Sequence, residues 1–189
     1  MNKSLTTLEV FYDEVLFGVQ MGNFEKFFRI WGRILDAFCT LTGEKLDEVE
    51  VTDIESGKVT FTTSDKTIDA LRSGFQEVVI NYIKIVEIRN LEQKFKSLNL
   101  SINDEMEELI GAEIDSTISS TSASTASKLL ETYGWDSRSD GAAIYSAVKT
   151  SLMQLLTFIE RGGKVRIGSS DELLRVDLAS VGEASNGNV

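Results

Sequence analysis

Residues 116–127 read STISSTSASTAS, and how they fold decides whether the middle of the chain is one structure or two. Nine of the twelve are Ser or Thr, two are Ala, and none is Gly, Pro or charged. A free tether draws on Gly or Pro, which are absent here, so the stretch reads as packed chain. Against a helix stands propensity, since each interior Ser or Thr costs roughly 0.5 kcal/mol relative to Ala. The sum, about 4–5 kcal/mol, is comparable to burying two Leu-sized side chains. The balance favours a helix interrupted somewhere within 117–124, with a joint in the domain at 116–125.

Upstream, SDKT at 64–67 offers an N-cap to a long helix. Ile68, Leu71, Phe75, Val78, Val79, Tyr82, Ile83 and Val86 keep the helical period, and Leu91, Phe95 and Leu98 extend it. Residues 78–88 are rich in β-branched side chains and compete as a buried strand, but no turn residues bracket them tightly, so helix wins. Ser101 followed by Asp104 resembles a capping box for the next helix. Ile102, Met106, Leu109, Ile110, Ile114 and Ile118 mark that helix, and Leu129, Leu130 and Tyr133 mark its continuation to Gly134. One long helix or a helical hairpin therefore spans 65–134. An antiparallel pairing sets the Ser/Ala stretch opposite Gly74–Tyr82, small residues against large ones.

Towards the N-terminus, Phe24, Phe27, Phe28, Trp31, Ile34, Leu35, Phe38 and Leu41 form an apolar helical stripe closed by Gly43. Leu8, Phe11, Tyr12, Val15 and Val19 have helical spacing too, which predicts a helix over 5–20. Val49 and Val51, then Val59 and Phe61, alternate with polar residues around Ser56-Gly57, a hairpin at about 46–63. Towards the C-terminus, Ile144, Tyr145, Val148, Leu152, Leu155, Leu156 and Ile159 give a final helix, and Val165, Ile167, Leu174, Val176 and Leu178 suggest a second hairpin at 164–178. Helix, glycine and hairpin thus occur twice, in 24–63 and 142–178, with no residue-level identity between the two. The expected architecture is α+β and mostly helical: four short strands in one antiparallel sheet with amphipathic helices on one face. Residues 1–180 read as a single domain and 181–189 as a mobile tail.

Composition narrows function more than it assigns it. The chain has 189 residues, net charge −11, no histidine, no proline and one cysteine, Cys39. The charge opposes direct contact with nucleic-acid phosphates or anionic lipid surfaces. A single cysteine precludes an intrachain disulfide and fits a reducing, cytoplasmic setting. No apolar run in the sequence approaches the length that spans a membrane. Without histidine, Ser–His–Asp triads, Cys–His pairs and HExxH zinc sites are excluded. GGKVR at 162–166 and SGKVT at 56–60 lack the glycine spacing of a phosphate loop and read as turns into strands. No cofactor is indicated.

Carboxylates form the one chemically distinctive cluster. Asp104, Glu105, Glu107, Glu108, Glu113 and Asp115 fall together, with no Lys or Arg between Lys96 and Lys128. Glu105 and Glu108 share a helix side and would hold a divalent cation only if further oxygens converged. Asp104, Glu105 and Glu107 sit where a helix N-terminus favours negative charge. The sequence therefore predicts a non-enzymatic interaction protein that binds itself, as a homo-oligomer, or another protein through apolar helix faces. Asp104, Glu105, Glu107, Glu108 and the loop residue Trp135 are the candidate partner contacts. The alternative is an acidic inhibitor, a nucleic-acid mimic seated in a partner's basic groove. A carboxylate-only enzyme and a small-ligand module rank lower.

Overall fold

The computed structural model describes residues 5–12, 21–55, 57–98, 103–160 and 163–167. The strands are β1 (Leu5–Phe11), β2 (Glu50–Glu55), β3 (Lys58–Ser64) and β4 (Lys164–Ile167). They form one antiparallel sheet in the order β2-β3-β1-β4. The helices are α1 (Met21–Thr42), α2 (Asp65–Ser97), α3 (Asp104–Thr132) and α4 (Gly141–Glu160), with a 3-10 turn at Leu46–Glu48. The chain is mostly helical α+β, as its patterning predicts.

The N-terminal prediction fails over Leu5–Phe11, which is a strand. Leu8 and Val10 also alternate with Thr7 and Glu9, and the strand reading wins because β1 is paired on both sides. Leu8 meets Phe61 and Ile167, and Val10 meets Val59 and Val165. These partners come from far along the chain, so local spacing could not reveal them. Residues 13–20 lie outside the described residues, as do 168–178 of the expected second hairpin and the 181–189 tail. Only β4 of that hairpin is described, and β1 supplies the fourth strand.

Apolar side chains on one sheet face meet α1. Trp31 stacks on Phe61 at 6.2 Å between ring centroids and meets Phe158 of α4 edge-on at 5.5 Å. Leu8, Val10, Trp31, Ile34, Leu35 and Phe38 are essentially inaccessible to water. The other sheet face is charged: Glu9 pairs with Arg166 at 3.0 Å and lies 3.8 Å from Lys58. The C-terminal glycine of α1, Gly43, has φ +76°, the left-handed conformation that closes a helix. By length and composition α4 could cross a membrane. Here Val148, Leu152, Leu155 and Leu156 are buried in the core, where α4 packs on α1 and α3.

α2 and α3 form the predicted antiparallel hairpin, roughly 50 and 44 Å long at 1.5 Å per residue. α3 runs unbroken through 116–127, so the expected interruption is absent. Burial offsets the poor propensity: Thr121, Ser122 and Thr125 are buried with Ile118 and Ala126, where small side chains let helices approach. Ser120 and Ser127 satisfy their hydroxyls on carbonyls three and four residues back, at 3.2 and 3.1 Å. On α2, Gly74 is closely packed as well: a Cβ there would lie 3.2 Å from Leu152 Cδ2 and from Phe38 Cζ, and 3.4 Å from Leu129 Cδ1.

Candidate interaction surface

The carboxylates that the sequence singles out lie at the start of α3. Asn103 caps α3, its side chain accepting from the Met106 N–H at 3.0 Å; Ser101, the expected capping residue, lies outside the described residues. Asp104, Glu105 and Glu107 occupy the first turn, and all three, with Glu108, are exposed. Glu107 reaches Lys96 across the hairpin at 3.4 Å. Among the described residues no three carboxylate or thiol groups come together as a metal site. The acids therefore present a wet, negative helix side that Glu107 partly ties to α2.

Trp135 is not the exposed contact its loop position suggests. Its ring is 7% exposed, and its Nε1–H donates to the Leu41 carbonyl at 2.7 Å. The Arg138 guanidinium lies over the ring at 3.9 Å. Gly141 permits this fold-back, since a Cβ there would stand 2.3 Å from the Trp135 carbonyl oxygen. Loops favour surfaces, but an indole with one polar atom can be buried when that atom finds a carbonyl.

Hydroxyls, a thiol and a carboxylate meet where α1 ends and α2 begins. Ser64 caps α2, accepting from the Thr67 N–H at 3.2 Å, and its hydroxyl also donates to Glu44. Thr67 Oγ1 donates to Glu44 at 3.1 Å and lies 3.0 Å from Thr42 Oγ1. Lys66 Nζ donates to the Thr42 carbonyl at the C-terminus of α1, where positive charge is favoured. Burial chiefly pushes the Cys39 thiol up, with Glu44 and Asp36 adding to it against a hydrogen bond from Thr67. A buried thiol held protonated is a poor nucleophile. Ser64 faces a carboxylate with no imidazole. The cluster ties two helix ends together.

The outer side of the hairpin is different. A groove of about 500 Å³ lies between α2 and α3, lined by residues that include Ser73, Gln76 and Ile80 from α2 and Thr125, Lys128 and Thr132 from α3. Lys128 meets Glu77 beside it at 3.2 Å. From Ile80, Leu91 and Leu98 lie about three and five whole turns along α2, hence on the same side. Back from Lys128, Ile110 and Met106 lie about five and six turns along α3, again on the groove side. Leu91 is 55% and Leu98 69% exposed, and Ile80, Phe95, Met106 and Leu109 are exposed as well. Groove and tip thus share one side of the hairpin, where apolar side chains stand in water with Glu87 among them.

The same hairpin outlasts the body that supports it. Among the described side chains, the last buried one on α2 is Ile85 and the first on α3 is Ile114. About 18 Å of α2 extends past Ile85. The helical period of 65–98 foretold the rod, but period alone cannot say that about a third of it lacks a body to lean on. No family model, curated protein or solved structure matches the chain.

Proposed function

We propose that this is a non-enzymatic assembly protein that associates with itself through the outer face of the α2–α3 hairpin. The observation that carries the reading is the row of exposed apolar side chains, Ile80, Leu91 and Leu98, that runs from the groove to the tip on one side of α2. Large apolar side chains left in water along one helix side mark a protein–protein contact surface. Two copies meeting on this face would remove these apolar side chains from water, with Glu87 and Lys94, about two and four turns from Ile80, as polar members of the same side. The buried, unpaired Cys39 suits a reducing, cytoplasmic setting.

Light scattering on the full chain at ~50 and ~500 mM salt tests this. An oligomer that persists at high salt is expected, because apolar burial is not screened. Leu91→Glu with Leu98→Glu should return a monomer with an unchanged circular dichroism spectrum. A wild-type monomer at both salts overturns the reading. The base-free run from 97 to 127, with exposed carboxylates on α3, favours the second reading, an acidic inhibitor. A monomer that captures basic proteins only at low salt would support it.

A further inference from the structure

Two apolar rows cross the inner face of the sheet from edge to edge. One runs Val51, Phe61, Leu8, Ile167, and the other Ile54, Val59, Val10, Val165. On β3, β1 and β4 these residues are at most 5% exposed, yet Val51 is 47% and Ile54 53% exposed. The helical layer stops one strand short. β2 is also the edge of the sheet, and all six of its residues are exposed. Among the described residues nothing pairs with its outer side, so backbone N–H and C=O groups face water there.

Charge decides what fits. Residues 44–58 carry six acids against Lys45 and Lys58. Lys58 is shared between Glu55 at 3.0 Å, Asp53 at 3.5 Å and Glu9 at 3.8 Å. A second copy pairing β2 against β2 in antiparallel register would set Glu50 against Glu55, like charges directly opposite. The irregularity between Val51 and Asp53 further distorts a symmetric pairing. These devices keep an edge from pairing with itself, and they leave it open to a strand of opposite charge.

We propose that β2 is a docking edge for an extended basic segment of a partner protein, taken up as an added strand. Its apolar residues continue the rows of Val51 and Ile54, and its Lys or Arg residues face Glu50, Asp53 and Glu55. The main chain supplies affinity, and the alternate side chains supply selection.

The probe is a labelled synthetic peptide of about eight residues alternating lysine and valine, the length of an ordinary strand. Its controls are a glutamate–valine peptide and a lysine–valine peptide interrupted by proline. Fluorescence anisotropy should show binding of the first alone, weakened about tenfold or more between low and high salt. Backbone NMR shifts should concentrate on Glu50–Glu55. Val51→Lys with Ile54→Lys should abolish binding, and Asp53→Lys with Glu55→Lys should weaken it, both with unchanged circular dichroism. The Leu91→Glu, Leu98→Glu monomer should bind as the parent does, which keeps this result independent of self-association. Equal binding of the proline-interrupted peptide, shifts centred on Glu105 and Glu108, or no binding at all would overturn the proposal.

Discussion

The two halves of the α2–α3 hairpin share helices but live under different rules. At the base, Gly74, Val78 and Ile85 of α2 and Ile118, Ser122 and Ala126 of α3 are buried, and size governs what each position tolerates. At the tip, Leu91, Phe95, Leu98, Met106 and Leu109 stand in water, and little touches them. The same residue type therefore carries opposite meanings. A leucine at 129 completes a core and a leucine at 98 stands in water. Base substitutions should move folding stability, whereas tip substitutions should move association.

The largest effects belong to the core beneath the base. Phe38 is fully buried, with its ring packed so close to Gly74 that a Cβ there would lie 3.2 Å from its Cζ. Phe38→Ala should cost about 3–5 kcal/mol, read from urea unfolding. A cost under about 1 kcal/mol would mean that the base is as loosely held as the tip. Overpacking the seam is the complementary test. Ser122 is 0% exposed in a row of small side chains, so Ser122→Leu should cost about 1–3 kcal/mol. Neutral Ser122→Leu would show that α2 and α3 are not in close contact there.

The same contrast explains what could be read in advance. The helical periods of 65–98 and of 24–42 were plain because each helix buries a regular stripe. The hairpin at 50–64 was plain because Val59 and Phe61 alternate around a glycine at φ +75°. Leu5–Phe11 misled because Leu8, Phe11 and Tyr12 satisfy a helical spacing, while the strands that claim them lie across the fold. The interruption expected in 117–124 misjudged a sum. Propensity counted the cost of each Ser and Thr, but the burial and close approach that their small size permits exist only once the hairpin has formed. Trp135 was placed on the surface by its loop, whereas the Leu41 carbonyl that buries it is remote in sequence. The acids at 104–115 were located correctly as exposed. The uncovered edge at Val51 and Ile54 was invisible, since alternation marks a buried strand face and only packing reveals that nothing lies over it.

At the tip, local devices carry what tertiary packing does not. Asn103→Ala removes the cap that accepts the Met106 N–H, and should cost about 1 kcal/mol. Hydrogen exchange should show the loss as faster opening over 104–113, with the base unchanged. Equal acceleration at Leu129 and Leu130 would mean that the two halves open as one unit and would erase the distinction.

The smallest expected effect concerns charge. Glu92 accepts from Lys96 at 2.7 Å and from Arg89 at 3.3 Å, and these hydrogen bonds, Lys96 first, hold its carboxyl below the usual carboxylate range. A depressed folded-state pKa stabilises above the ordinary carboxylate value, and the contribution disappears as pH falls through the depressed one. Acidification from neutral pH should therefore loosen the end of α2 without affecting its base. Exposure and screening limit the contribution to roughly 0.5 kcal/mol, the scale of a helix-surface pair. Glu92→Gln should flatten this pH dependence and leave the midpoint of global unfolding at neutral pH nearly unchanged. If acid instead opened Gly74–Val78 as readily as Glu92–Lys96, the tip would not be a separate element, and self-association would have to be sought on another face.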